Sequence, residues 1–375
     1  MTEPSVILEA KNLLVERAGT RLLDIPALSV NRGEVLALIG PNGAGKTTLL
    51  LTLSYLMKPR AGELFFSGLM VGSGYPLSDY RRKLSMVFQE ALLFDTTVYK
   101  NVASGLKFRG VGRGEIETRV TEQLELFGIS HLKDRSARTL SGGEAQRTSL
   151  ARAFATNPEV LFLDEPFASL DPPTRESLME DVEQVLRRAR TTTIITTHDR
   201  SEALRLSTRI AVVNQGRILQ IGTPGEVMYH PVDEFVASFV GVETIITGEV
   251  VEKRAGTFAV SVNGREIEAI GDAVKGEVVT LCIRPENVTL SCEAFGSGAS
   301  ALNVFHGTIT KITAMGLYQK ILIDCGFSLV AYLTNRSMER MVLTEGQEIN
   351  AAFKATAIHV MKKPPTLPDK PSSAH

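Results

Sequence analysis

Apolar positions along this chain fall into two textures, and the change between them comes near residue 244. Before it, short apolar runs alternate with stretches whose apolar residues recur every three or four positions. That is the βα order of a mostly parallel sheet with helices on its faces. The runs at 35–39, 84–88, 160–163 and 191–197 read as strands, the last of them rich in β-branched residues that suit a pleated surface. Helical spacing covers 46–57, 144–156 and 201–206, and Pro172 with Pro173 opens a further helix to residue 190. Between 99 and 128 the pattern is helical, with Val120, Leu124 and Phe127 on one face. Segments 210–213 and 218–221 read as a hairpin around Asn214, Gln215 and Gly216, and short helices are expected after Thr223 and Pro231.

Beyond residue 244 come short alternating strands separated by Gly, Asn and Asp, at 246–251, 257–262, 266–269, 278–283, 307–312, 319–323 and 349–355. Such spacing predicts a small β-barrel. Residues 293–301, rich in Gly, Ser and Ala, are expected to link its two halves, and the polar, Pro-rich stretch 364–375 to stay disordered. A chain of 375 residues exceeds what one core organises. The expected organisation is an α/β domain over 1–240, with a helical subdomain at about 90–155, then an all-β barrel over 244–363.

Composition narrows the class. Lys and Arg total 41 against 42 Asp and Glu, a formal net charge of −1, and no long basic run occurs, so nucleic acid is not expected as a partner. No apolar stretch approaches the roughly 18 residues of a membrane span, and the N-terminus lacks the regions of a signal peptide. A cytoplasmic protein is expected. Cys282, Cys292 and Cys325 show no C-x-x-C spacing and read as small buried hydrophobes.

Chemistry concentrates at the strand ends. Residues 40–48 read GPNGAGKTT between a strand and a helix, the setting of a phosphate-binding loop. Gly40, Gly43 and Gly45 let consecutive backbone N–H groups of the loop, which also holds Pro41, Asn42 and Ala44, turn toward a phosphate, and the helix adds its positive end. Lys46 reaches the terminal phosphates, the Thr47 hydroxyl suits Mg²⁺, and Thr48 is a neighbouring phosphate contact. Asp164 and Glu165 end a strand, so the first can be drawn to the metal and the second to an attacking water. Gln89 and His198 also emerge at strand ends: a side-chain amide can ligate Mg²⁺ or position water, and an imidazole can bond the γ-phosphate. Ser141, Gly142 and Gly143, within LSGGE, form a second Gly-opened helix start suited to an anion that it cannot reach within its own subunit. Asp171, in the segment Ser169-Leu170-Asp171, is equally well read as the N-cap of the following helix.

These residues in this order resemble the ATP-binding cassette ATPases over roughly the first 240 positions. The resemblance implies an ABC-type P-loop fold binding ATP and Mg²⁺, with a head-to-tail homodimer sandwiching two nucleotides. It makes Gln89 the Q-loop glutamine, Ser141 to Gly143 the signature, Glu165 the catalytic base, 169–171 the D-loop and His198 the switch histidine. Where the family stacks adenine on an aromatic, this chain reads LVERAG at 14–19; Arg17 either stacks its guanidinium there or is an exposed residue of an edge strand.

Residues 89–102, QEALLFDTTVYKNV, resemble the importer form of the region on which a permease docks, and Phe94 either fills that groove or packs in a domain seam. The second half of the barrel resembles the molybdate-binding type of TOBE domain. There Thr334, Ser337 and Thr356 offer hydroxyls and Arg336 or Lys354 a cation to a tetrahedral dianion. Turn residues of a barrel used for dimer contacts is the other reading of the same positions. The ATPase portion resembles the tungstate importers, with molybdate the near neighbour. An integral-membrane permease and an extracytoplasmic oxyanion-binding protein are the implied partners, with the chain at the cytoplasmic face of the membrane. An oxyanion sensor or storage protein is the alternative of another class.

Overall fold

Two long strands open the chain, Val6–Arg17 (β1) and Thr20–Asn31 (β2), paired antiparallel and joined through Ala18 and Gly19, whose φ angles are 49° and 79°. Val35–Ile39 (β3) follows, buried at every position, then Lys46–Leu53 (α1), Ala61–Phe66 (β4), Leu69–Met70 (β5), Leu77–Arg82 (α2) and Leu84–Val87 (β6). The helical segment comprises Val98–Phe108 (α3), Arg113–Leu126 (α4) and Gly142–Ala155 (α5). Val160–Asp164 (β7), Pro172–Ala189 (α6), Thr192–Thr197 (β8), Arg200–Leu206 (α7), Arg209–Asn214 (β9), Arg217–Gly222 (β10) and Pro224–Tyr229 (α8) follow. This computed structural model describes residues 5–295 and 303–362.

Two sheets result. One is antiparallel, in the order β2-β1-β4-β5; the other runs β10-β9-β3-β8-β7-β6, parallel except for the β9–β10 hairpin. The antiparallel sheet stands where parallel βα order was expected. Residues of β1 alternate between buried and exposed, as strands covered on one face do, whereas β3 and β7 are continuously buried, as central parallel strands are. Leu8, Val30, Leu38, Leu49, Phe66 and Phe162 bring both sheets and α1 into one core.

Two boundaries moved for identifiable reasons. The first helix ends at Leu53 rather than near residue 57, because Tyr55 is left-handed (φ 56°) and cannot continue it. The helical stretch 99–128 splits into α3 and α4 at Gly110, which also takes a left-handed φ of 75°.

Chain contacts separate two units, Met1–Val227 and Met228–His375, a division earlier than the change of texture near 244. Within the second unit the His359 Nε2 proton reaches Pro231 O at 2.9 Å, and Arg284 donates to Met228 O, so residues 228–231 belong with the strands that follow. After those residues comes Glu234–Phe239 (α9). Thr244–Lys253 (β11), Thr257–Val262 (β12), Arg265–Ile270 (β13), Val278–Ile283 (β14) and Thr289–Ser291 (β15) come next. Asn303–Ala314 (β16), Tyr318–Asp324 (β17), Ser328–Thr334 (β18), Asn335–Met341 (α10), Glu348–Phe353 (β19) and Ile358–Lys362 (β20) complete it.

Its two antiparallel five-stranded sheets run β13-β12-β11-β14-β20 and β15-β19-β16-β17-β18 around a shared barrel-like core that includes Phe258, Leu281, Ile309 and Phe353. The halves exchange strands: β15 precedes the expected linker yet pairs with β19, and β20 returns to pair with β14. Most of that linker, and the expected disordered tail, lie outside the described residues. Burial pushes the Cys282 thiol up to about 12 and the Cys325 thiol up to about 11. Cys292, expected inside with them, is exposed. Among the described residues no helix is long and apolar enough to cross a membrane.

Candidate functional site

The phosphate loop connects β3 to α1, and its glycines are required for different reasons. A Cβ on Gly40 would come 2.1 Å from Val213 O, so the backbone of β9 excludes any side chain there. Gly43 has open space around it but a φ of 79°, so backbone conformation selects it. Gly45, at φ 103°, would set a Cβ 3.1 Å from Leu23 Cδ2. The hairpin turn braces the loop from behind: Gly216 N donates to Ala44 O at 2.8 Å, and a Cβ on Gly216 would lie 2.3 Å from Leu22 O. The hairpin was legible in the sequence, but its approach to the phosphate loop was not.

Lys46 is nearly buried, its ammonium donating to Gly40 O at 2.9 Å and Pro41 O at 3.2 Å and lying 3.4 Å from Glu165 Oε1. All three donors are therefore answered. The Thr47 hydroxyl donates to Asp164 Oδ1 at 2.9 Å, and Thr196 Oγ1 donates to the same oxygen at 2.7 Å. Glu165 takes a left-handed φ of 42°, its N–H held by Thr196 Oγ1 at 2.9 Å, and its Oε2 accepts from His198 Nδ1 at 3.0 Å. Lys46, Thr47, Asp164, Glu165 and His198 are thus one connected set.

A cavity of about 350 Å³ runs along the loop from Asn42 through Gly43, Ala44, Gly45, Lys46 and Thr47 to Thr48, closed by Leu22, Gln89 and Glu165. Arg17 is exposed at the end of β1 and does not line it; Leu22 does, a residue the sequence gave no reason to choose. The hydroxyl of Thr47, the carboxylate of Asp164 and the amide of Gln89 are hard oxygen donors, the kind Mg²⁺ takes alongside phosphate. No group of three His, Cys, Asp or Glu that could hold a metal occurs among the described residues.

Ser141 caps α5 through a capping box: its hydroxyl accepts from Glu144 N at 3.3 Å, and its own N–H donates to Glu144 Oε2 at 2.7 Å. That last bond holds the Glu144 carboxyl below the usual carboxylate range. Ser141, Gly142 and Gly143 line a separate cavity of about 570 Å³ with Ser169, Leu170 and Asp171, to which no residue of the phosphate loop contributes. Asp171 accepts from Thr174 N at 3.3 Å, so it does cap α6 while also facing that cavity. Inward of the signature, the buried Gln146 amide donates to Pro166 O at 3.0 Å, which ties α5 to the segment after Glu165. This link was not anticipated from the sequence.

Arg175 joins the start of α6 to the residues beyond His198, pairing with Asp199 at 2.5 Å and Glu202 at 2.6 Å. Burial raises the Glu202 carboxyl, partly countered by Thr197 and Arg175.

Leu92 and Phe94 are each about half exposed and Phe108 three-quarters. Phe94 packs edge-on against Phe108 at 6.4 Å, and the buried Asn101 amide fixes the backbone of Phe94 at both N and O. In the barrel unit, Thr334 caps α10, its hydroxyl 3.0 Å from Ser337 Oγ, and Arg336 is exposed. Lys354 is exposed too, but Thr356 lines a cavity of about 180 Å³ with Arg284 and His359, in which neither Thr334 nor Ser337 takes part. The five proposed oxyanion residues therefore do not share that cavity.

A family model described as ABC transporter matches residues 23–168, and one described as TOBE domain matches 299–360. The molybdate/tungstate import ATP-binding protein of Pyrococcus abyssi is 37% identical over 342 residues, 91% of this chain and 96% of that protein. The spermidine/putrescine import ATP-binding protein of Borreliella afzelii is 33% identical over 95% of this chain and 99% of its own length. A subunit of the Clostridium perfringens ABC transporter complex cbiONQ has a TM-score of 0.55 at 31% identity, covering 64% of this chain and 96% of that one. A dimeric ATP-binding cassette bound to ADP and Pi in a post-hydrolysis state has a TM-score of 0.53 at 27% identity, covering 58% and 99%.

Proposed function

We propose, from the premise that the chain belongs to the ABC transporter family and is an ATPase, that it powers uptake of an oxyanion, tungstate foremost and molybdate with it. Two copies pair head to tail at the cytoplasmic face of the membrane, each phosphate loop facing the Ser141 helix end of its mate. The observation that carries this is the separation of cavities: the loop with Glu165 lines one, and the signature with Asp171 lines another. An anion-seeking helix N-terminus that lines no part of its own nucleotide cavity has its use in a second subunit.

Within each site Lys46 and the loop N–H groups hold the β- and γ-phosphates. Glu165, oriented by His198, accepts a proton from the attacking water, giving ADP and phosphate from ATP. Thr47 and Asp164, with Gln89, would hold Mg²⁺, which supplies charge neutralisation between the phosphate oxygens. Closure of the pair moves a permease docked on the patch of Leu92, Phe94 and Phe108, and hydrolysis resets it.

The oxyanion reading rests on resemblance to the Pyrococcus protein, while polyamine importers lie close behind in identity. An uptake assay separates them. In a strain lacking this gene, cell-associated tungsten and molybdenum should fall to background, with spermidine uptake unchanged. Loss of spermidine uptake with normal metal content would reverse the assignment. A neighbouring extracytoplasmic binding protein that takes tungstate in calorimetry is the expected companion.

A further inference from the structure

In β8, TTIITT, every position is buried, and Thr196 lies at the register position paired with Asp164 of β7. A valine would fill the same room without placing a hydroxyl in an apolar sheet, so the hydroxyl is tolerable there only because it is bonded. A hydroxyl has one proton to give and lone pairs to accept with. The proton goes to Asp164 Oδ1 at 2.7 Å, and the oxygen accepts the Glu165 N–H at 2.9 Å.

We propose that the Thr196 hydroxyl is a positioning group for ATP hydrolysis, fixing the two adjacent carboxylates relative to each other through one donated and one accepted bond. Glu165 depends on it most. Its φ of 42° is a conformation that residues other than glycine seldom adopt, and its N–H is shared between Thr196 Oγ1 at 2.9 Å and Thr196 O at 3.2 Å, so the hydroxyl supplies the shorter of the two bonds that set where its carboxylate points. Held as it is, Oε2 faces His198 and Oε1 faces Lys46. Asp164 Oδ1 has a second donor in Thr47, but Thr47 lines the nucleotide cavity and can turn its hydroxyl to a ligand there. Thr196 does not line that cavity and stays available to Asp164 throughout. Its influence should therefore fall on turnover and leave nucleotide affinity alone.

This inference rests on the roles given to Asp164 and Glu165, so the experiment includes a control for them. Full-length Thr196→Val, Thr196→Ser and Glu165→Gln proteins are compared by steady-state ATPase kinetics, by titration of a fluorescent ATP analogue in EDTA and by thermal unfolding. Thr196→Val should lower kcat by about 10- to 100-fold, the scale expected when catalytic groups lose their placement. Metal-free nucleotide affinity should stay within about twofold of the parent, as for a group acting only on the reacting geometry. Thr196→Ser, which keeps the hydroxyl, should recover most of the rate. Near-parental kcat in Thr196→Val overturns the inference, as does an equal loss in the Ser and Val variants or a loss of metal-free affinity alongside turnover. If Thr196→Val does not fold, Thr196→Ala takes its place on the same criteria. Should Glu165→Gln itself keep turnover, the roles of the acidic pair fail instead.

Discussion

At Glu165, a carboxylate between Lys46 at 3.4 Å and His198 at 3.0 Å has both oxygens engaged, so it is aimed before any substrate arrives. Such preorganisation is what a general base needs, and it fixes what its removal should do. Glu165→Gln should cut ATP turnover by roughly 10²- to 10⁴-fold with ATP affinity retained, measured by phosphate release and by nucleotide titration. Near-normal turnover would remove the assignment. Much of this was legible in the sequence, because a glycine loop before Lys-Thr and an acidic pair at a strand end are patterns with few other uses. Thr196 was not legible, since its hydroxyl sits inside a β-branched run that reads as strand former and nothing more. Arg17 shows the converse: a pattern position filled by a plausible residue that the fold leaves exposed at the end of β1.

Among the elements, the parallel strands were readable because continuous apolar runs leave little choice, and α5 because Ser141, Gly142 and Gly143 read as a Gly-opened helix start ahead of helical spacing. The antiparallel β1–β2 pair and α10 were not, for their apolar positions alternate or thin out on a half-solvated surface. The β9–β10 hairpin is the case where reading an element fell short of reading its use. Its turn at Gly216, at φ 74°, backs the phosphate loop with no room for a side chain. Gly216→Ala should therefore cost about 1–3 kcal/mol of stability through strain and crowding. It should also weaken ATP binding, although Gly216 does not line the nucleotide cavity. Thermal unfolding and an ATP titration check both. Unchanged affinity would mean that the turn does not brace the loop.

For the whole molecule, chain contacts divide at Val227, ahead of the change of texture near 244, because residues 228–231 are held by Arg284 and by His359 of the strands beyond. What a single chain could not reveal from spacing is how its two anion-seeking loops are used, since they line different cavities. The proposed pairing of subunits would answer that, and it is tested most directly by a crystal or cryo-EM structure of the Glu165→Gln protein with ATP and Mg²⁺. The expected result is a head-to-tail dimer in which Ser141 of the partner subunit lies within hydrogen-bond distance of the γ-phosphate held by Lys46. A monomer, or a dimer whose Ser141 faces no phosphate, would contradict it.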